Sequence, residues 1–301
     1  MSFNDSKSNC NEELGLCGFD EPTSQKPKPG KKPLEIYTFI DPLCPECWAL
    51  EPVLKKLQMN YCKYFTIRYL IGGKLQCCSE KRSHKNIAEA WEKTANRTGM
   101  SCDGDIWLEN PISTPFAASI AIKAAELQGK QIGIKYLRKL RELLFLDKQN
   151  ISKEEVLIEC AQSIEGLDLL EFKKDLHSEG AIKTLQFDLK TTKEMGVELF
   201  PTIVVFNDHV EEEGLMVAGL YDYDVYVKVL EEMLGEKPVP SAPVFLEEFL
   251  KHQSFVATKE IAVIYDLSIE EVEKEMKKLV LRQIVERVPV KYGTFWRYIG
   301  E

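Results

Sequence analysis

Cys44 and Cys47, separated by Pro45 and Glu46, are the pair whose type and spacing can do chemistry in this chain. Two thiols so placed can exchange with a disulfide: one thiolate attacks, and the other resolves the mixed disulfide. The same spacing also supplies half of a tetrahedral zinc site, which needs a second close pair. Cys77 and Cys78 are adjacent and lack the two-residue spacer. Context favours the dithiol. Pro42-Leu43-Cys44-Pro45-Glu46-Cys47-Trp48 follows an apolar run over 34–40 and leads into a helical pattern from Ala49 to Met59. Unpaired N–H groups in the first turn of a helix favour an anion, so Cys44 is expected as the attacking thiolate and Cys47 as its partner. Glu46 opposes that ionisation, and no histidine in the motif supplies a cation.

The elements that must position the pair are legible around it. Leu34–Ile40 reads as a first strand and Tyr64–Ile71 as a second, ended by the Gly72-Gly73 turn, and the helix between them makes a βαβ unit with parallel neighbours. Strands resume at Val197–Thr202, running into Ile203–Phe206. A proline just before a strand is the second half of a thioredoxin signature, so Phe200-Pro201 is expected to be cis and to face the dithiol, with Pro201 as a clamp on bound polypeptide. Asn207-Asp208 marks a turn to an antiparallel strand at Leu215–Ala218, and a helix from Asp222 to Leu234 carries Val225, Val229 and Met233 inward.

Between these halves the period is helical for over a hundred residues. Inward faces are expected at Ile87/Ala90/Trp91/Thr94, at Ile120/Ala121/Ala124/Leu127 behind Thr114-Pro115, and at Leu137/Leu140/Leu143/Leu144. Ser152 with Glu155 and Asp168 with Glu171 have capping-box spacing, and Ser178 opens a last helix that ends at Gly196. After the proline-rich 235–243 linker, Phe245–Leu250 suggests a helix. Thr258–Leu279 then has helix-turn-helix spacing, with Ala262 at the crossing, Leu267 in the turn and Ser268/Glu271 as a capping box. Alternation over 282–288 and 295–299 completes a small winged-helix-like unit. Its second helix exposes Glu270, Glu271, Glu273 and Lys274, which would set carboxylates against phosphates, so the module is read as a protein-contact or stabilising unit.

The chain of 301 residues is 44% apolar and 29% charged with a net charge of -9, ordinary for a soluble protein and unfavourable for nonspecific nucleic-acid or acidic-membrane binding. No apolar segment is long enough to span a bilayer, and 1–17 lacks a secretory pattern, so a cytoplasmic protein is expected. The 9 cysteines are unevenly spread and do not look like a disulfide scaffold; Cys62 and Cys160 sit in apolar patterns as core thiols. His84, His177, His209 and His252 have no metal-ligand spacing. Residues 1–32 are polar, without periodicity, and read as a flexible tail. The organisation expected is α/β: a thioredoxin-like domain over 33–234 with a helical insertion at about 79–195, a linker over 235–243 and the winged-helix-like α+β module over 244–301. Composition and motifs alone rank a thiol-disulfide oxidoreductase first.

Six blocks add a resemblance. Asp41–Trp48, Ala88–Lys93, Gly99–Gly104, Lys123–Gly129, Glu171–His177 and Ser268–Lys278 resemble the SpxH family of ClpXP adapter proteins, from about Pro33 to the C-terminus. The resemblance implies a DsbA-like thioredoxin fold working as a cytosolic adapter that binds the transcription regulator Spx and promotes its degradation by the ClpXP protease. On that reading no residue is required for catalysis, and Cys44, Cys47 and Pro201 are redox candidates or parts of a redox-sensing adapter. The Spx-binding part is expected in the α/β domain and its insertion. Members with a histidine- and cysteine-rich N-terminus are associated with zinc. Here Cys10 and Cys17 are its only such residues, and two thiolates do not complete a tetrahedral site, so no cofactor is expected, with zinc at that pair left open.

Overall fold

A computed structural model describes residues 32–73, 84–207 and 214–300. Cys10, Cys17, Cys77, Cys78 and His209 lie outside them. Strand β1 (Leu34–Ile40) leads through Cys44 into α1 (Pro45–Ala49), a break at Leu50 and α2 (Glu51–Tyr61), and β2 (Phe65–Ile71) follows. Seven helices come next: α3 (His84–Thr98), α4 (Ile106–Glu109), α5 (Phe116–Leu127), α6 (Lys130–Phe145), α7 (Glu154–Gln162), α8 (Leu169–Asp175) and α9 (Glu179–Glu194). The chain then returns as β3 (Thr202–Asn207), β4 (Leu215–Ala218) and α10 (Tyr223–Leu234). The sheet order is β2-β1-β3-β4, with β1 parallel to β2 and antiparallel to β3. This is the expected thioredoxin-like sheet interrupted by helices.

The C-terminal part is α11 (Leu246–Gln253), β5 (Phe255–Ala257), α12 (Thr258–Tyr265), α13 (Ile269–Leu281), β6 (Val285–Pro289) and β7 (Thr294–Tyr298). Its strands form a second sheet in the order β5-β7-β6. Ser268 and Glu271 make the expected capping box: the Ser268 hydroxyl accepts the Glu271 N–H at 3.2 Å, and the Glu271 carboxylate accepts the Ser268 N–H at 2.8 Å. Phe249, Val256, Ile261, Val272, Met276 and Trp296 are the centre of this module's own core. Strand β5 was not legible because three residues are too few to show a period.

Alternation in β1 and β3 buries Leu34, Ile36, Ile203 and Val205 against α2 and α10, while Phe39, Leu70 and Val204 pack toward the other side. Helix α9 closes the sheet near its edge. The Asp188 carboxylate accepts the Ile71 N–H at 2.9 Å and pairs with Lys123 of α5 at 2.5 Å, deep in the interior.

Several local expectations are corrected. Residues 197–201 are not strand: β3 starts at Thr202, because Pro201 has no N–H to give to the ladder. Ser152 does not cap α7. Its N–H and hydroxyl both go to the Asn150 side-chain oxygen, and Lys153 takes the capping position. On α3 the buried face is Ala88, Trp91 and Ala95, and Ala90 is exposed. Helix α5 is buried over Ala118–Ala125, with Leu127 left out at 46% exposure because α5 runs through the insertion rather than over it. On α10 the fully buried residues are Tyr226 and Leu230; Val229 and Met233 pack against the same core as expected, and Val225 is not among its partners. Cys160 and Cys62 are both buried as expected, but Cys62, at the end of α2, is disulfide-bonded and not a free thiol.

Candidate functional site

The dithiol sits where the sequence places it. Cys44 is the N-cap of α1: the sulfur accepts the Cys47 N–H at 3.3 Å, and its thiol donates to the Phe200 carbonyl at 3.5 Å. Phe200-Pro201 is cis and brings that carbonyl over the pair, so Cys44, Cys47 and Pro201 converge from segments more than 150 positions apart in sequence. Cys44 is partly exposed and Cys47 is 1% exposed. Burial, reinforced by the hydrogen bond and charge of Cys44, pushes the Cys47 thiol well above its usual range. The arrangement therefore presents one reachable sulfur with a second, neutral one behind it.

The shell around the pair contains residues that local patterns did not single out. The Cys47 sulfur accepts the N–H of Asp41 at 3.5 Å, and the Asp41 carboxylate accepts the N–H of Leu43 at 2.8 Å. Burial raises the Asp41 carboxyl, while that hydrogen bond and the charge of Arg141 pull it down. Glu46 is not the uncompensated carboxylate expected from the motif, since it is paired with Arg97 of α3. Gly72 and Gly73 are more than a turn. A Cβ on Gly72 would lie 2.5 Å from the Phe200 ring, and one on Gly73 would lie 2.3 Å from the Asp41 carboxylate, so both keep the backbone close to site residues. Two adjacent glycines closing a strand were the visible signal.

Trp48, next to Cys47, is wholly buried between three parts of the chain. Its ring stacks on Phe145 of α6 at 5.7 Å and on Phe295 of β7 at 6.3 Å, and the Arg138 guanidinium lies 4.4 Å from its centroid. Its indole N–H donates to the Ser101 carbonyl at 3.0 Å, while the Ser101 hydroxyl accepts the Tyr292 N–H at 3.2 Å. Arg138 also binds Glu51, Glu142, the Phe255 carbonyl and the fully buried Glu260. The helix carrying the dithiol is thus joined to the C-terminal module through aromatic and ionic contacts. The sequence shows Trp48 beside the dithiol but nothing of its partners.

Cys102 is fully buried near the pair, close enough for the charge of Cys44 to act on it, and its thiol is pushed well up, chiefly by burial. His84 is exposed, 6.0 Å from the Trp107 ring, and His177 pairs with Glu154 at the surface. Among the described residues, no helix is long and apolar enough to cross a membrane.

Comparison with known proteins separates the fold from the family. The thioredoxin family model (Thioredoxin_5) matches residues 37–228. A Nitrosomonas europaea structure described as a candidate protein disulfide isomerase has a TM-score of 0.56 at 19% identity, covering 68% of this chain and 97% of that one. The cytosolic disulfide reductase DsbM from Pseudomonas aeruginosa has a TM-score of 0.50 at 17% identity, covering 67% of this chain and 95% of that one. Both speak for the fold alone. The ClpXP adapter protein SpxH of Halalkalibacterium halodurans is 55% identical over 99% of this chain and 100% of its own length. The chain belongs to the SpxH family. SpxH of Bacillus subtilis is 54% identical over 90% of this chain and 91% of its own. In this SpxH-family chain the likeness thus extends past residue 228, where the thioredoxin match ends, into the C-terminal module.

Proposed function

We propose that this protein is a cytoplasmic adapter that binds the regulator Spx and delivers it to the ClpXP protease, contributing orientation and effective concentration rather than bond chemistry. The observation that carries the reading is the end-to-end likeness to proteins named ClpXP adapter, at 55% identity over 99% of the chain. The structure is in keeping with it. A dithiol helix whose Trp48 is packed under Phe295 belongs to a scaffold in which the C-terminal module and the thioredoxin-like sheet act together.

The reading takes the domain over 33–234, with its helical insertion, as the part that holds Spx. The module over 244–301, reached through 235–243, supports it from behind the dithiol. The acidic start of α13 suits protein contact better than phosphate contact. The test is reconstituted degradation of Spx by ClpXP, with and without the native chain and a Cys44→Ser/Cys47→Ser variant. Faster degradation with both makes binding the function, and no acceleration by the native chain overturns the reading.

A second reading is favoured by the cap geometry of Cys44. The Cys44 thiolate attacks a substrate disulfide and releases one thiolate. Cys47 then displaces the second from the mixed disulfide, with Pro201 on the substrate side. In an adapter the same pair acts as a redox sensor, and different Spx affinity for the reduced and oxidised chain is its signature. Equal affinities remove it.

A further inference from the structure

Strand β4 is one edge of the main sheet, with β3 as its strand partner among the described residues. The register decides which of its backbone groups are used. The Gly219 N–H donates to the Pro201 carbonyl at 2.7 Å, so these two residues are a hydrogen-bonded pair of the antiparallel ladder. Every second pair repeats that geometry, which turns the N–H and C=O groups of Leu215 and Val217 toward Val205 and Ile203 of β3. Those of Met216 and Ala218 therefore point away from the sheet, and no backbone hydrogen bond among the described residues takes them up.

An open edge of this kind is a template for one more strand, and native sheets blunt it with lysine, proline, a bulge or a covering helix. The opposite edge shows such cover: Ile71 of β2 gives its N–H to Asp188 of α9. Strand β4 reads Leu-Met-Val-Ala, and Leu215 and Met216 are 36% and 44% exposed. A Cβ on Gly219 would lie 3.5 Å from Leu199 and 3.7 Å from Tyr221, so these two half-exposed side chains flank the edge where it reaches Pro201. The charge around it has one sign. The sequence from Glu194 to Val227 contains no lysine or arginine, and Glu198 and Asp222, next to Leu199 and Tyr221, are exposed. A strand carrying lysine or arginine beside apolar residues complements this field, and an acidic one is repelled.

We propose that Spx docks here by strand addition: an extended segment with apolar and basic side chains pairs with the free edge of β4, bonding to the backbone of Met216 and Ala218 and packing against Leu199 and Tyr221. This surface rests on the adapter reading and names the part of the thioredoxin-like domain that grips the regulator.

The test is hydrogen exchange followed by NMR on the full chain with and without Spx, together with the Spx affinity of two variants. Saturating Spx should slow exchange at the Met216 and Ala218 amides at least about fivefold, with less change at Leu215 and Val217, which are already bonded. Ala218→Pro removes one outward N–H without touching the ladder to β3, a change that edge strands tolerate, and should weaken Spx binding at least about fivefold. Glu198→Lys should weaken it too, and the affinity of the native chain should fall between about 0.1 M and about 1 M salt. If Ala218→Pro does not fold, the exchange data on the native chain decide. Failure of the native chain to bind Spx overturns the adapter reading and this surface together. Spx binding that leaves the Met216 and Ala218 amides unprotected, or that a folded Ala218→Pro variant matches, overturns this surface alone. Affinity indifferent to Glu198→Lys and to salt overturns the basic character of the segment.

Discussion

The indole of Trp48 and the phenyl ring of Phe295 stack with a 5° angle between their planes, which puts the residue beside Cys47 and a strand of the C-terminal sheet in one aromatic column. Both rings are 1% exposed or less. The dithiol helix has only five residues and is too short to hold its own position. It is held instead by what Trp48 touches: Phe145 from the insertion, Phe295 from the C-terminal module, and Arg138 between them. The three parts of the chain therefore meet behind the Cys44–Cys47 pair.

Phe295→Ala should accordingly destabilise the protein by about 3–5 kcal/mol, the range for deleting a buried aromatic ring. Urea unfolding monitored by circular dichroism measures it. A loss under about 1 kcal/mol would show that the column does not bind the module to the dithiol domain.

Glu260 makes the same junction sensitive to acid. It is wholly buried, with Arg138 at 3.0 Å and Lys55 at 2.5 Å, and its carboxylate accepts the Ala257 N–H at 2.8 Å. Burial alone would raise its pKa, but Arg138 and Lys55 overcome this and hold it at about 2 against a usual 4.5. A depressed folded-state value means that its stabilisation is present above about pH 4.5 and is lost as the pH falls toward 2. The shift corresponds to about 3 kcal/mol. Glu260→Gln should be less stable than wild type at pH 7, by about 3–5 kcal/mol for a broken buried pair, with the gap closing in acid. Parallel stability curves for the two proteins between pH 5 and 2.5, about the window set by that shift, would refute the assignment.

Much of this site was legible in the sequence, and the limit has a physical origin. Alternation marked β1, β2 and β3; the Cys44–Cys47 spacing, the strand before it and Pro201 marked the dithiol; Ser268 and Glu271 marked α13. Each is a local signal, carried by residues a few positions apart. What stayed hidden is the set of buried charges: Lys123 with Asp188, and Arg138 and Arg141 with Glu51 and Glu260. On a helical pattern such residues read as a solvated face, and only pairing across up to 122 positions, as between Arg138 and Glu260, turns them inward. Ala90 and Leu127 failed for the converse reason. An apolar residue within the right period is assigned inward, though the neighbours that decide its burial come from distant helices.

The two thiols of the dithiol should differ sharply toward an alkylating reagent. Cys44 is partly exposed, while Cys47, Cys102 and Cys160 are buried and their thiols are pushed up by that burial. A raised value means that Cys47 stays a neutral thiol in the folded protein at pH values where a free cysteine already ionises. Brief iodoacetamide treatment of the reduced native chain at pH 8, just below the pKa of a free thiol, followed by peptide mass spectrometry, should label Cys44 before the other three. Unfolding should equalise them. Labelling of Cys47 at the rate of Cys44 would contradict the geometry.

Lys291 offers a test of the module's second attachment. Its ammonium lies 2.8 Å from Glu92, 2.9 Å from Asp103 and 2.7 Å from Asp105, in a group of carboxylates whose oxygens all fall within 4.8 Å of one another. Despite its own desolvation, these partners raise the Lys291 pKa above its usual 10.5, so its contribution is present below that value and is lost only at more alkaline pH. Three carboxylates so grouped could serve as ligands to a divalent cation, and the ammonium sits among them. Lys291→Met should leave three carboxylates facing one another, lowering the Tm in low salt and speeding amide exchange in β6 and β7. The variant, unlike wild type, should then recover Tm on addition of millimolar calcium. Equal Tm for both proteins in low salt would show that the contact contributes nothing to docking, and an equal calcium response would show that Lys291 does not occupy the cation position.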